Sequence, residues 1–354
     1  MVESRLFPPL GDEVRGDIEN LLLVIDRTFP LKRRFYDEMP ENIARLSRLL
    51  TKDRSELNGG YMGSPAMLNA YLRYFLPWNV YRLSLLLPSL SLERALGTTE
   101  NAEIIELGSG PLSLPVSLWT ALPRLRALPL GFLCADQNGA ALEAGKRLFR
   151  ALAGEGCPWR IKTRRASLGA RLEARPAALV CAVNVCNEFI QRLPQADAGG
   201  LRAASGKLAR YLASLAGDGG SVLVAEPGAP RPAQALAFMR EAFAVDGLSI
   251  EAPCPATRRC AMPGGRRGVK WCHFNIDADG APEALRRLSA QAGLHKEKVT
   301  LSFLLAAKTG KTRAVPAGTQ GLLAVRVLSD AFPLPDSAAA RYACSEKGLT
   351  LLRG

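Results

Sequence analysis

The residues best suited to chemistry in this chain fall into two groups. The first is a run of thiols: Cys254-Pro-Ala-Thr-Arg-Arg-Cys260, then Cys272 within Lys270-Trp-Cys-His-Phe274, with Cys344 as the natural fourth member near the end of the chain. Three thiols in a short segment punctuated by Pro and Gly make poor core material. Four thiolates suit either zinc or an iron–sulfur cluster, and His273 can take one place in a zinc site. The flanking arginines and Lys270 are expected to lower the thiol pKa values and so favour the thiolate that binds metal. The compact Cys-x-x-x-Cys-x-x-Cys of radical enzymes is absent from the sequence. Cys134, Cys181 and Cys186 sit in or beside apolar strands and read as ordinary buried thiols.

The second group is Glu106-Leu-Gly108-Ser109-Gly110-Pro-Leu-Ser, where an apolar strand gives way to a helix. Glycines there let backbone approach a ligand closely, and the amides that open a helix favour negative groups. An acidic residue two positions before a compact Gly-x-Gly is the S-adenosylmethionine pattern. The G-x-G-x-x-G of dinucleotide sites is missing. Asp136, ending the next strand, is placed to accept from ribose hydroxyls. Leu112 stands where many methyltransferases carry a third glycine. After the fourth strand comes Asn184-Val-Cys-Asn187-Glu188, whose polar residues are the candidates for catalysis, for binding the donor's amino-acid part or for orienting an acceptor; Asn187 or Glu188 equally well begins a helix. The expected cofactor set is therefore Glu106, Gly108, Ser109, Gly110, Asp136 and Asn184.

These residues need a scaffold. Residues 1–98 carry helical spacing, as in Ile18, Leu21, Leu22 and Ile25, or Ile43, Leu46, Leu49 and Leu50, and form an expected N-terminal helical region. The aromatic-rich stretch Tyr71 to Tyr81 is interrupted by Pro77 and shows no catalytic constellation. From 99 to 250, short apolar strands alternate with helices, which predicts a parallel sheet covered on both faces, an α/β Rossmann-like fold with ligands beyond the carboxyl ends of the strands. Residues 251–354 read as a Cys-rich metal-cluster segment followed by C-terminal strands over 298–307 and 322–328, with a turn over 342–348.

Bulk properties limit the partners. The chain has 354 residues, 48% hydrophobic, enough for a sizeable core. Its net charge of +13 favours an anionic partner such as RNA. Residues 251–313 hold twelve Lys and Arg against five Asp and Glu, so over half the excess lies in under a fifth of the length. That clustering argues for a basic RNA-binding flap over a merely Arg-rich composition. No secretory leader or bilayer-length apolar run is present in the sequence, which predicts a cytoplasmic, non-membrane setting with reduced thiols.

Glu226-Pro-Gly228, the paired Ala252-Pro-Cys254-Pro and Trp271-Cys-His-Phe274, Cys260, and in the helical part Asn42 to Thr51 and Ala70 to Pro77 together resemble the bacterial and mitochondrial small-ribosomal-subunit methyltransferase-like assembly-factor family. The likeness runs from about residue 40 to the end. It implies an S-adenosylmethionine methyltransferase fold, a 4Fe-4S cluster on Cys254, Cys260, Cys272 and Cys344, and a role in small-subunit assembly on rRNA. Ala256 departs from the family, which often has histidine there. Two further readings stay open: a non-catalytic RNA-binding assembly factor, and a zinc-containing small-molecule methyltransferase.

Overall fold

The computed structural model describes residues 6–51, 61–97, 101–186, 190, 197–255, 260–264, 270–308, 323–335 and 338–353. Strands buried on both faces are built from near-continuous apolar runs, and such runs open the α/β part of the chain. β1 (Glu103–Leu107), β2 (Gly131–Asp136), β3 (Arg160–Arg165), β4 (Ala177–Val183) and β5 (Ala216–Glu226) pair in parallel in the order β3-β2-β1-β4-β5. Three later strands complete the sheet: β6 (Ser249–Ala252), β7 (Phe274–Asp277) and β8 (Lys298–Ala307). β8 runs antiparallel between β5 and β6, and β7 pairs with its first half. The reversal of strand order beside β1 is the switch point of doubly wound sheets. The expected Rossmann-like α/β fold is thus present. The sheet, however, runs across the expected division at residue 250, because β8 and its partners come from the later segment.

Side chains alternate across each strand, which splits the core in two. Ile104, Phe132, Leu179, Leu223, Phe303 and Leu305 face one side, against α7 (Ser113–Ala121), α8 (Gly139–Ala153) and the N-terminal helices. Ile105, Val180, Val222 and Leu304 face the other, against α9 (Ala198–Leu215) and α10 (Pro230–Val245). The N-terminal region is helical as expected: α1 (Asp12–Thr28), α2 (Arg33–Asp37), α3 (Met39–Thr51), α4 (Pro65–Ala70), α5 (Leu76–Leu86) and α6 (Leu92–Gly97).

α4 and α5 are joined through a π-helical turn at Tyr71–Phe75, just before Pro77. Proline has no amide proton to continue the ladder and its ring crowds the preceding turn, so the helix widens there without ending. Every residue of α5 except Arg82 is buried. Trp78 Nε1 donates to Ser289 Oγ (3.2 Å) on α11 (Glu283–Gln291), and Tyr81 Oη donates to the Asp277 carbonyl (3.1 Å) on β7. β6, β7 and α11 escape the sequence reading because they are short; the two strands are held by pairing with β8.

The end of the chain forms a second sheet from β9 (Val325–Val327), β10 (Phe332–Pro333), β11 (Ala339–Ser345) and β12 (Gly348–Arg353). Here the expected turn over 342–348 is corrected. Tyr342 to Ser345 belong to β11, and the chain reverses at Glu346 and Lys347. No helix among the described residues is long and apolar enough to cross a membrane.

Candidate functional site

The glycine turn leaves β1 at the carboxyl edge of the sheet, and its geometry explains its residues. Gly108 and Gly110 have φ of +67° and +52°, values that disfavour side chains. A Cβ on Gly108 would lie 2.2 Å from Val185 Cγ2, so the loop after β4 packs directly against the turn. Leu112, in the third glycine-like position, adopts φ +60° although it is a leucine. That conformation costs about 1–2 kcal/mol. It is held by complete burial against Gly145 of α8, where a Cβ would meet Leu112 Cγ at 2.6 Å. Asn184 is also left-handed, at φ +58°, with its amide bonded to the Ala225 carbonyl at 2.8 Å.

Both acidic residues hold this turn. Glu106 is 1% exposed; its Oε1 accepts from the Leu114 amide (2.8 Å) and its Oε2 from Ser109 Oγ. Burial pushes its pKa from 4.5 up to about 8, despite those two bonds. Asp136 accepts from the Gly110 amide (2.8 Å) and the Asn138 amide (2.7 Å), while Asn138 caps α8 through the Ala141 amide (3.0 Å). Burial raises the Asp136 pKa as well. A carboxylate offers about four acceptor positions. Asp136 therefore retains capacity for ribose hydroxyls after its two backbone bonds, and the turn suits an adenosyl group. Asn187 and Glu188 lie outside the described residues.

The sequence reading misses the side of the crevice supplied by the N-terminal helices. Tyr71 Oη lies 3.9 Å from where a Cβ on Gly110 would be. Asn79 Nδ2 donates to that hydroxyl (3.4 Å), and Arg82 Nη2 donates to Asn79 Oδ1 (3.1 Å). Arg82 Nη1 donates to the Thr300 carbonyl of β8 (3.2 Å). Glu226, ending β5, is 1% exposed and accepts from the Cys186 amide (2.8 Å). The legible signal is an Asn and an Arg within the otherwise apolar stretch around Pro77.

The four cysteines expected to bind metal lie within electrostatic reach of one another. Cys272 senses the charge of Cys254, Cys260 and Cys344; Cys254 senses Cys344, and Cys260 senses Cys254. All four are half-buried. Several bonds converge on the segment: Trp271 Nε1 donates to the Gly228 carbonyl (3.1 Å), Ser302 Oγ to the Cys272 carbonyl (2.7 Å), and Arg326 Nε to the Pro253 carbonyl (3.2 Å). The expected lowering of the thiol pKa values is corrected. Burial raises all four, Cys272 to about 12, and outweighs Arg240 and Arg326, which pull Cys254 the other way. Among the described residues no group of three or more His, Cys, Asp or Glu is spaced to hold a metal ion as it stands. The donor set is chemically that of a sulfur-ligated metal, with the thiols gathered but protonated. His273 stacks on Trp271, ring centres 5.1 Å apart, with Nδ1 3.2 Å from the Trp271 carbonyl. Cys134, Cys181 and Cys186 are buried, as expected.

Of the twelve cations in residues 251–313, Arg258, Arg259, Arg266, Arg267, Lys311 and Arg313 lie outside the described residues. Lys270, Arg286, Arg287, Lys296 and Lys298 are exposed, whereas Lys308 donates to the Ala216 carbonyl (2.8 Å) and serves the sheet. A second basic stripe lies on edge strand β3, where Arg160, Lys162, Arg164 and Arg165 are exposed. Charges there also block edge-to-edge pairing.

The family model for mitochondrial small ribosomal subunit Rsm22 matches residues 145–332, more than half of the chain. No curated protein matches it. Among solved structures, magnesium protoporphyrin IX methyltransferase from Synechocystis PCC 6803 with bound S-adenosylhomocysteine is similar at 11% identity, covering 77% of this chain and 96% of that one, TM-score 0.40. The 16S rRNA methyltransferase KamB is similar at 14% identity, covering 61% and 91%, TM-score 0.36. A methyltransferase from Geobacter sulfurreducens in complex with S-adenosylhomocysteine has 12% identity, covering 74% and 97%, TM-score 0.35. Likeness at this level concerns the arrangement of strands and helices only.

Proposed function

Since the chain belongs to the family of mitochondrial small ribosomal subunit Rsm22, we propose that it is a methyltransferase-like factor of the small ribosomal subunit that binds S-adenosylmethionine and rRNA. The observation that carries the donor reading is the left-handed Gly108–Gly110 turn bonded to Asp136 at the switch point of the sheet. S-adenosylmethionine, when bound, supplies an electrophilic methyl group on a sulfonium. The chain's own part is positioning: the turn admits the adenosyl group, Asp136 receives the ribose, and Asn184 orients the acceptor, with Asn187 and Glu188, which follow it in the sequence, as further candidates for that task. Titration of the purified protein with S-adenosylhomocysteine tests this; heat evolved with saturation supports it, and no binding at millimolar ligand refutes it.

The cysteine quartet is assigned to a 4Fe-4S cluster, with zinc as the alternative. Its support is the convergence of four thiols from distant segments, one of them on β11, and the resemblance of the Ala252-Pro-Cys254-Pro and Trp271-Cys-His-Phe274 motifs. Its role is structural, linking the second sheet to the main one and bracing the basic flap. Anaerobically purified protein should contain iron and sulfide in similar amounts. Zinc alone would reverse the assignment, and metal-free protein would end it.

A second reading, a non-catalytic RNA-binding assembly factor, has an observation in its favour. Glu106 and Asp136 are both engaged with the turn's own groups, and a leucine occupies the third glycine position. Methylation maps of rRNA from cells with and without the protein separate the two. In either case RNA affinity should fall steeply with added salt, as phosphate contacts from Lys and Arg do.

A further inference from the structure

The donor crevice is closed on one side by α5, and the polar atoms there are arranged for a ligand. Arg82 is the single residue of α5 that is not buried, yet its Nε is covered from solvent and has no hydrogen-bond partner among the described residues. Its two other donor atoms are fixed, Nη1 on the Thr300 carbonyl and Nη2 on Asn79 Oδ1. The guanidinium is therefore held in place with one donor unspent. A buried charged donor left unsatisfied is costly, and a carboxylate is the acceptor that guanidinium groups match best.

Contacts run around the crevice in a ring. Tyr71 stands against the Gly110 turn, Asn79 bonds to Tyr71, and Arg82 bonds to Asn79. The Glu226 carboxylate also acts electrostatically on Arg82, holding its charged form against the opposing effect of burial. Glu226 holds the Cys186 amide, and Val185, one residue earlier, packs on Gly108. These contacts begin at Gly110 and end at Gly108, and Arg82 and Glu226 stand between the two ends. The nucleoside end of a donor bound at the turn thus has a cation and an anion linked to it through Tyr71, Asn79 and Val185. The α-amino-acid end of S-adenosylmethionine carries one carboxylate and one ammonium, complementary to such a pair.

We infer that Arg82, presented by the N-terminal helices with Asn79, receives the α-carboxylate of the methyl donor, and that Glu226 faces its α-ammonium group. The helical region then becomes part of the donor site. This rests on the donor reading above, and the test keeps the two apart.

The purified full chain is titrated with S-adenosylhomocysteine and with 5′-methylthioadenosine, which keeps the nucleoside but lacks the amino-acid end. In Arg82→Met, S-adenosylhomocysteine affinity should fall about 10- to 100-fold, the range of a charge-assisted hydrogen bond. Methylthioadenosine affinity should stay within about twofold. Should the Met variant fail to fold, Arg82→Lys, which keeps the charge but not the fork, is expected to lose about tenfold for S-adenosylhomocysteine alone. Unchanged S-adenosylhomocysteine binding in a folded variant overturns the subsite and leaves the donor reading intact. Equal loss for both ligands marks Arg82 as merely structural and overturns it too. Wild-type protein that binds neither ligand removes the donor reading and the subsite together.

Discussion

At the glycine turn, the backbone and side-chain groups of residues 106–114 find partners within a few residues or on the neighbouring strand. Gly108 and Ser109 amides bond to the Ala135 carbonyl, Gly110 to Asp136, Leu114 to Glu106. The four thiols, by contrast, are gathered from residue 254 to residue 344 by a few long-range bonds, at Gly228, Ser302 and Pro253. One site is complete as folded; at the other, no group of three or more His, Cys, Asp or Glu among the described residues could hold a metal ion as it stands. Pre-organisation by backbone costs little chain entropy because the segment is short. Gathering distant segments costs more, a cost that the proposed cluster would offset.

The contrast is sharpest when each site is broken in turn. Gly108→Val adds a Cβ 2.2 Å from Val185 Cγ2 at φ +67°; loss of about 3 kcal/mol or more is expected in urea denaturation. A loss under about 1 kcal/mol would mean that the turn is not the rigid site described. Glu106→Gln comes next and acts through pH. The folded-state pKa of Glu106 lies near 8, above its ordinary 4.5, so the folded form holds a proton that the unfolded chain releases. The associated stability is present below about pH 4.5 and is lost as pH rises through 8. Wild-type midpoints should therefore fall between pH 5.5 and pH 8, and the Gln variant should flatten that slope.

At the other site the effects are smaller and local. Arg326→Ala removes the bond to the Pro253 carbonyl, an expected cost of about 1 kcal/mol. It should appear as faster amide exchange in β9 and β11 and not in β1 or β4. In metal-free, chelator-treated protein Cys254→Ser should change global stability least, by under about 1 kcal/mol, while proteolytic cleavage between Pro253 and Trp271 increases. A global collapse on losing this one thiol would reverse the comparison and make the cysteine segment part of the folding core.

What local pattern makes legible is whatever depends on neighbouring residues. β8 is readable to the residue, since Lys298–Ala307 alternates polar and apolar residues and then runs apolar from Phe303, and so are the Gly108–Gly110 turn and the cysteine motifs. Periodicity and turn chemistry act over a few residues, so they survive without the fold. Three things arise only from packing. Leu112 takes a glycine-like conformation because burial against Gly145 supports it. The thiol pKa values rise because burial outweighs nearby arginines. Arg82 becomes a site residue because β8, more than 200 positions later, supplies the carbonyl that fixes it. Such properties depend on which surfaces meet in space, and one-dimensional spacing carries no record of that.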